Sequence, residues 1–132
     1  MATAAFSSRQ LAKKIADLAS EKKAEDIIIL DMRNLVNFCE YFVICSGSSD
    51  RQVRAIADFI DTELSDLGMK MRFKEGLKKS DWIVFDAGDV ITHIFQKQMR
   101  EFYRLEYLWQ DAKHVTWPDK KSVNAAKRKA ST

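Results

Sequence analysis

The chain has 132 residues, which is enough for one domain with a single hydrophobic core. Its formal net charge is +3, from 22 Lys and Arg residues against 19 Asp and Glu residues. Residues 113–132 hold six basic and one acidic side chain, so residues 1–112 carry the other 16 basic and 18 acidic ones. The body of the protein is therefore mildly acidic, and the basic balance belongs to the segment after it.

Composition also argues against several classes of protein. No apolar run approaches the roughly 20 residues of a membrane span, and residues 1–8 lack the pattern of a signal or transit peptide. Cys39 and Cys45 lie in hydrophobic surroundings without metal-binding spacing, so we expect two buried, reduced thiols. A cytoplasmic protein with neither a metal nor a cofactor is expected.

The first half of the chain predicts two helices and two strands. Ser7-Ser8-Arg9-Gln10 is a capping-box pattern, and it predicts a helix of about four turns that ends near Lys22-Lys23. The apolar runs at 26–31 and 41–45 predict strands buried on both faces, which we place at the centre of the sheet. Ser49-Asp50-Arg51-Gln52 repeats the capping-box pattern, and it predicts a second helix that Gly68 ends.

The next segments predict three more strands and a helix. Apolar and basic residues alternate over 69–74, which predicts an edge strand with one wet face. Runs at 82–86 and 90–95 flank Ala87-Gly88, which predicts a tight hairpin because glycine supplies the positive φ of such turns. A helix is expected over about 97–111.

The element order α-β-β-α-β-β-β-α predicts an α+β domain over residues 1–112, with a mixed sheet of about five strands and flanking helices. Residues 113–132 contain few large apolar side chains to offset the entropy of ordering. We therefore expect them to form a flexible basic tail.

Two groups of residues suggest enzyme chemistry, and each has a structural alternative. Gly47-Ser48-Ser49 lies between a strand and a helix, where backbone amides favour phosphate. Nucleotidyltransferases combine such a Gly-Ser with an Asp-x-Asp pair that holds magnesium, and this chain has no Asp-x-Asp. Helix capping is the favoured interpretation. For His93 with Asp86 and Asp89, a hydrogen bond in or beside the core is favoured over acid–base catalysis.

Trp82 carries the third candidate. By strand alternation it shares a face with Val84 and Asp86, and Asp89 follows beyond the turn. Trp82 either caps the core or anchors a partner, and nearby carboxylates favour a basic partner. The last helix is expected to pack against the sheet and to border the same surface with one side. Its large apolar residues are Phe102, Tyr103, Leu105, Leu108 and Trp109.

Several motifs together resemble the Iojap family, the ribosomal silencing factors. They are the segments 81–95 (DWIVFDAGDVITHIF), 100–109 (REFYRLEYLW), 26–31, 41–58 and 75–76. The resemblance covers roughly residues 8–112. Glu40 stands where the family usually has aspartate, Cys45 stands where a small residue is common, and the tail has no counterpart.

The resemblance implies a nucleotidyltransferase-like domain without the active site. It further implies binding to protein fourteen of the large ribosomal subunit, at a surface that otherwise meets the small subunit. The expected function is therefore a translation repressor that blocks subunit joining, and a role in late large-subunit assembly is left open. The site that the resemblance implies is Trp82, with the turn residues Asp86, Ala87 and Asp89 as neighbours. Tyr103 of the last helix is predicted to belong to the same partner-binding site, for which we expect neither catalytic nor metal-binding residues.

Two other functions remain open at this point. A nucleotidyltransferase would need a metal-binding carboxylate pair that the fold brings together. A ribosomal RNA-binding assembly factor would use the basic tail. We expect no membrane partner and no sequence-specific nucleic acid, and a homodimer is left open.

Overall fold

A computed structural model describes residues 6–69, 73–76 and 79–118 of the chain. The described residues form six strands and four helices; the first seven elements follow the predicted order, the last predicted helix is divided into two, and a short strand is added at the end. The helices are α1 Ser8–Glu21, α2 Asp50–Asp66, α3 Lys97–Tyr103 and α4 Leu105–Leu108. The strands are β1 Glu25–Asp31, β2 Tyr41–Gly47, β3 Phe73–Glu75, β4 Trp82–Asp86, β5 Val90–Gln96 and β6 Lys113–His114. Residues 70–72, which were predicted to belong to the edge strand, lie outside the described residues.

All six strands form one mixed sheet in the order β3-β4-β5-β2-β1-β6. Strands β2 and β5 pair in parallel, and every other neighbouring pair is antiparallel. The predicted α+β class, the hairpin of β4 and β5 and the edge position of β3 are confirmed.

The predicted position of β1 is wrong. The central pair of the sheet is β2 and β5, and β1 is covered on its outer side only by the two-residue β6. Strand β2 is buried along its whole length, whereas β1 is only partly buried. The isoleucine run of β1 is explained by its neighbours on both faces, since Ile29 and Leu30 belong to different cores.

Helix α1 has the predicted capping box at Ser7. Helix α2 has only one of the two hydrogen bonds of the predicted capping box. The hydroxyl of Ser49 accepts from the amide of Gln52, but the Gln52 side chain does not return to Ser49. Its carbonyl oxygen accepts from the amide and hydroxyl of Ser48, and its amide nitrogen donates to the carbonyls of Lys22 and Lys23 at 3.2 and 3.1 Å. Gln52 thereby joins the start of α2 to the end of α1.

The sheet separates two hydrophobic cores. Helices α1 and α2 cover one face, which we call the first face, and their apolar sides fill the larger core. The opposite face, here the second face, carries a smaller core beneath α3, α4 and the loop between β1 and β2. The second core contains Leu30, Met32, Cys39, Phe42, Ile44, Phe95 and Ala112. Trp82 packs against the second core, so the candidate site lies on the second face.

The single helix predicted over 97–111 is wrong, because the chain breaks at Arg104. Arg104 has φ 49° and ψ 49°, in the left-handed region, and it ends α3 and begins α4. The break allows Leu105 and Trp109 to pack against the second core while Phe102 and Leu108 stay exposed. A continuous helix would repeat every 3.6 residues, and local sequence periodicity does not reveal such a change of direction.

Arg100 anchors α3 to the sheet. Its side chain is buried, and one guanidinium nitrogen donates to the carbonyl of Asp26 at 2.6 Å and to the hydroxyl of Ser46 at 2.9 Å. The second terminal nitrogen of the guanidinium lies 3.1 Å from the carboxylate of Glu106 in α4. These bonds are charge-assisted and fix α3 and α4 relative to the sheet.

The first part of the predicted tail packs against the domain. Strand β6 pairs with Leu30 and Asp31, and the amide of the buried Val115 donates to Ile29. Trp117 packs on the first core and donates its indole N–H to Asp17 at 2.8 Å. Residues 113–118 therefore differ from the expected mobile tail, since the exposed edge of β1 gives their backbone hydrogen-bond partners. Residues 119–132 lie outside the described residues.

Two truncations separate the contribution of this segment. Removal of residues 113–132 is expected to lower the melting temperature more than removal of 119–132, because only the first deletes β6, Val115 and Trp117. Burial of apolar side chains of this size stabilises by about 1.5–3 kcal/mol each, so the difference should be several degrees. Circular dichroism melts of the two proteins measure it. Equal melting temperatures would contradict the observed packing of residues 113–118.

Candidate functional site

Trp82 opens β4 and lies at the centre of an aromatic environment. Its partly buried ring stacks on Phe95, which is its cross-strand partner in β5, with ring centroids 4.8 Å apart and planes 24° apart. Tyr103 at the end of α3 lies 4.7 Å from the indole. The indole N–H donates to Nδ1 of His93 at 3.2 Å. The face predicted for Trp82 from strand alternation is confirmed.

These contacts continue along the second face. Phe42 of β2 meets His93 edge-on at 4.8 Å and Trp109 edge-on at 6.0 Å. Edge-to-face and offset-stacked pairs are the favoured geometries of aromatic rings, so the layer is well packed. We call this set the aromatic cluster: Phe42, Trp82, His93, Phe95, Tyr103 and Trp109. Trp82 and Tyr103 bring it to the surface, since Tyr103 is 47% exposed.

His93 lies in the predicted position, on the face it shares with Ile91 and Phe95 and in a hydrogen bond at the edge of the core. The side chain is buried, and burial lowers the pKa of His93 to about 4 because it disfavours the charged imidazolium. The ring is therefore neutral at pH 7. Within the described part of the chain, its Nε2 atom is buried and has no hydrogen-bond partner.

Most contacts of the residues in the β4–β5 turn stabilise the turn and its immediate surroundings. A carboxylate oxygen of Asp86 accepts from the amide of Gly88 at 2.8 Å, and Gly88 has the positive φ of 87° that the turn requires. Ala87 packs against the first core. Asp89 is exposed, while its backbone carbonyl accepts from the amides of Glu40 and Tyr41 at 2.7 and 3.1 Å.

The carboxylates of Asp86, Asp89 and Glu40 lie at or beside this turn. The pKa of the Cys39 thiol is raised to about 11, first by burial and then by the negative charges of Asp86, Asp89 and Glu40. Burial likewise raises the pKa of Cys45 to about 12. Both cysteines are buried and unbridged, as predicted. We call Asp86 and Asp89, together with Glu40, whose amide donates to the carbonyl of Asp89, the acidic turn.

The structure brings only part of the predicted site together. Trp82 and Tyr103 are in contact, but the carboxylates of the acidic turn lie at the other end of the hairpin. Asp86 is four residues along β4 from Trp82, which corresponds to about 13 Å at roughly 3.3 Å per residue. The expectation that Trp82 sits beside the carboxylates is therefore wrong, and its immediate neighbours are aromatic.

Sequence reasoning missed a set of exposed apolar side chains near this face. The last helix was expected to pack against the sheet and to border the candidate surface with one side, but the sequence did not indicate which of its residues do so; Phe102 and Leu108 are 75% and 69% exposed. Phe102 also contacts Tyr103 edge-on at 5.2 Å, so it extends the aromatic surface outward. Exposed apolar groups that adjoin one another mark interaction sites more often than isolated ones do. Leu35 and Phe38 in the loop between β1 and β2, and Tyr107 in α4, are also exposed.

The described residues give no support to metal chemistry. Among residues 6–69, 73–76 and 79–118, no group of three or more His, Cys, Asp and Glu side chains is placed to hold an ion. Gly47 is explained by packing, because a Cβ atom there would lie 2.9 Å from the backbone nitrogen of Val53. Ser48 and Ser49 bond with Gln52 at the start of α2, which fits the favoured capping interpretation. In the same part of the chain, no helix is long and apolar enough to cross a membrane.

Comparison with known proteins gives a consistent result. A family model described as ribosomal silencing factor during starvation matches residues 5–132. A ribosomal silencing factor from Bacillus subtilis is 40% identical over 104 residues, which cover 79% of this chain and 88% of that protein. The chloroplastic protein Iojap of Zea mays is 36% identical over 110 residues, which cover 81% of this chain and 46% of that protein. A crystal structure from Bacillus halodurans superposes with a TM-score of 0.73 at 32% identity, covering 82% of this chain and 98% of the other.

The class that these matches define is a small α+β protein similar to ribosomal silencing factors and to the chloroplastic protein Iojap. The chain belongs to the ribosomal silencing factor family. The resemblance noted from the sequence motifs is thereby confirmed.

Proposed function

We propose that this protein represses translation by binding protein fourteen of the large ribosomal subunit and keeping the small subunit from joining. The observation that carries the proposal is the exposed side of the aromatic cluster, where Trp82 and Tyr103 meet solvent with Phe102 beside them. We call these three residues the docking surface. Tryptophan and tyrosine are enriched among the residues that dominate binding energy at protein interfaces.

Charge supports a basic partner. Asp86 and Asp89 of the acidic turn lie on the same hairpin as Trp82, and no compensating cation is bonded to them in the described contacts. A negative group at the edge of an interface increases the rate at which a basic partner arrives. In this proposal Trp82 and Tyr103 supply most of the affinity, and Asp86, Ala87 and Asp89 border the contact.

The proposed mechanism needs occupancy alone. A protein that covers the joining surface blocks the small subunit without a reaction, so neither a cofactor nor a nucleotide enters it. The nucleotidyltransferase alternative requires metal-binding carboxylates, and among the described residues no group of three or more His, Cys, Asp and Glu side chains is placed to hold an ion. The cytoplasm, where ribosomal subunits of a bacterial cell join, is the proposed location. A role in late assembly of the large subunit, a direct RNA contact by residues 113–132 and a homodimer stay open.

Subunit joining tests the proposal directly. Purified large subunits are incubated with increasing amounts of the protein, small subunits are added, and intact ribosomes are measured by sedimentation. We expect intact ribosomes to fall in proportion to the occupied fraction of large subunits, with no nucleotide added. Crosslinking and mass spectrometry of the bound complex should identify protein fourteen. Formation of intact ribosomes in undiminished amount at full occupancy would refute the occlusion mechanism.

A further inference from the structure

His93 occupies a position that packing alone does not explain. It lies opposite Ile44 in β2 and Val84 in β4, and it is 7% exposed with the ring of Phe42 against it. A buried nitrogen without a partner lowers stability, and an apolar ring of similar shape has no such cost. In this apolar environment a phenylalanine would satisfy packing better than the imidazole does.

The hydrogen bond to Trp82 defines the state of the imidazole. An indole nitrogen only donates, so Nδ1 of His93 must be the acceptor, and the neutral ring carries its proton on Nε2. Because burial lowers the pKa of His93 to about 4, Nδ1 keeps its free lone pair at pH 7. One nitrogen is therefore bonded to Trp82, and the other is buried without a partner among the described residues.

The hydrogen bond from Trp82 to His93 fixes the orientation of the indole, which ring stacking alone does not fix. The ring of Phe95 stacks on the indole and the ring of Tyr103 lies tilted against it, and stacking alone does not distinguish two indole orientations that differ by a half turn about χ2. The χ2 angle of tryptophan has broad wells, so packing alone selects its orientation weakly. The indole has a single polar hydrogen, and fixing it to a rigid central strand fixes the direction of the whole ring.

We propose that His93 is the positioning residue of the docking surface, and that it holds the indole of Trp82 in the orientation that the ribosomal partner meets. The inference rests on the proposed function and deepens it. His93 itself touches no partner in this arrangement, because its ring is buried. Its contribution to binding passes through Trp82.

Two substitutions separate positioning from packing. His93→Phe keeps an aromatic ring and removes the acceptor, so the melting temperature should equal or exceed that of the wild type, while affinity for the large subunit falls about fivefold to tenfold. His93→Asn places a carbonyl oxygen near the former Nδ1 but leaves space in the core. It should melt lower than His93→Phe and yet bind more tightly. A packing role alone would instead give the same order of variants in both measurements.

The hydrogen bond is tested without the ribosome. The chain has three tryptophans, and the indole ¹⁵N–¹H resonance of Trp82 is identified by its loss in Trp82→Phe. In His93→Phe this resonance should move upfield and exchange faster with solvent. If the resonance stays where it is, the hydrogen bond is absent and the inference is wrong.

The outcomes distinguish this inference from the proposed function. If the wild-type protein does not bind large subunits, the proposed function fails, and the docking role of His93 fails with it. If the wild type binds, and His93→Phe binds equally although its Trp82 resonance has moved, the positioning role is overturned and the proposed function stands. In a Trp82→Phe background, His93→Phe should cause no further loss of affinity, since the donor is already gone. A further loss there would also contradict positioning through Trp82.

Discussion

Replacement of Trp82 by alanine is expected to weaken binding to the large subunit about thirtyfold or more. Aromatic anchors at interfaces often contribute more than about 2 kcal/mol, and a factor of ten corresponds to about 1.4 kcal/mol. The substitution removes the ring that joins Phe95 to Tyr103, so it also loosens the rest of the docking surface. Affinity is measured by sedimentation of the labelled protein with isolated large subunits.

The matched control for Trp82→Ala is Leu67→Ala. Leu67 is also an exposed large apolar residue, but it follows α2, which covers the first face of the sheet. We expect this variant to bind and to repress like the wild type. Both variants should keep a cooperative thermal transition, which shows that the fold survives. If Trp82→Ala repressed subunit joining as strongly as the wild type, the proposed anchor would be incorrect.

Gly76→Ala is expected to lower the free energy of unfolding by about 3 kcal/mol or more. Gly76 has φ +84°, and a Cβ atom there would lie 1.9 Å from the carbonyl oxygen of Trp82, closer than any real contact. The positive φ adds strain of about 1–2 kcal/mol for a residue with a side chain. Because the obstructing atom is backbone, the start of β4 has to shift. Urea denaturation measures the loss.

Gly68→Ala is the control for strain alone. Gly68 has φ +83° at the end of α2 and is exposed, so the alanine there should cost only about 1 kcal/mol. The difference between the two glycine variants measures the close approach of Gly76 to Trp82. Equal losses would show that the approach is looser than the structure indicates. The Gly76→Ala protein that remains folded should also bind large subunits less tightly, because Trp82 begins the displaced strand.

Local sequence patterns were sufficient for the elements that local chemistry decides. The serine caps of α1 and α2, the glycine that ends α2 and the glycine of the β4–β5 turn each satisfy a backbone requirement within a few residues. Alternation in β4 gave the correct face for Trp82 because strand side chains point to opposite sides in turn.

Local sequence patterns could not predict which strands pair when they are far apart in the sequence. The parallel pairing of β2 with β5 joins residues about 50 positions apart, and it moved β1 away from the centre of the sheet. The break at Arg104 depends on the packing of Leu105 and Trp109 against the second core, as well as on the bonds of Arg100. Both features are decided by tertiary contacts, and the tertiary context overrides local propensity.

The candidate site divides in the same way. Trp82, Tyr103 and the acidic residues could be named from the sequence, since residue type and the family resemblance both indicate them. Their arrangement could not be predicted from the sequence. The distance between Trp82 and Asp86 follows from the extended strand β4, and the contact of Trp82 with Tyr103 follows from the position of the end of α3. The bond between Trp82 and His93 needed the register of β4 on β5, which places these two residues diagonally across the pair.

The contact between Trp117 and Asp17 has a consequence for the order of folding. The two residues are 100 positions apart, and β6 with Val115 covers the outer edge of β1 just before it. A chain emerges from the ribosome with its N-terminal part first, so α1 and β1 are exposed before residues 113–117 are available to close on them. During that interval the edge of β1 presents unpaired backbone groups to other chains. During synthesis the nascent protein therefore exposes an edge strand that can pair with other chains, until residues 113–117 are synthesised and cover it.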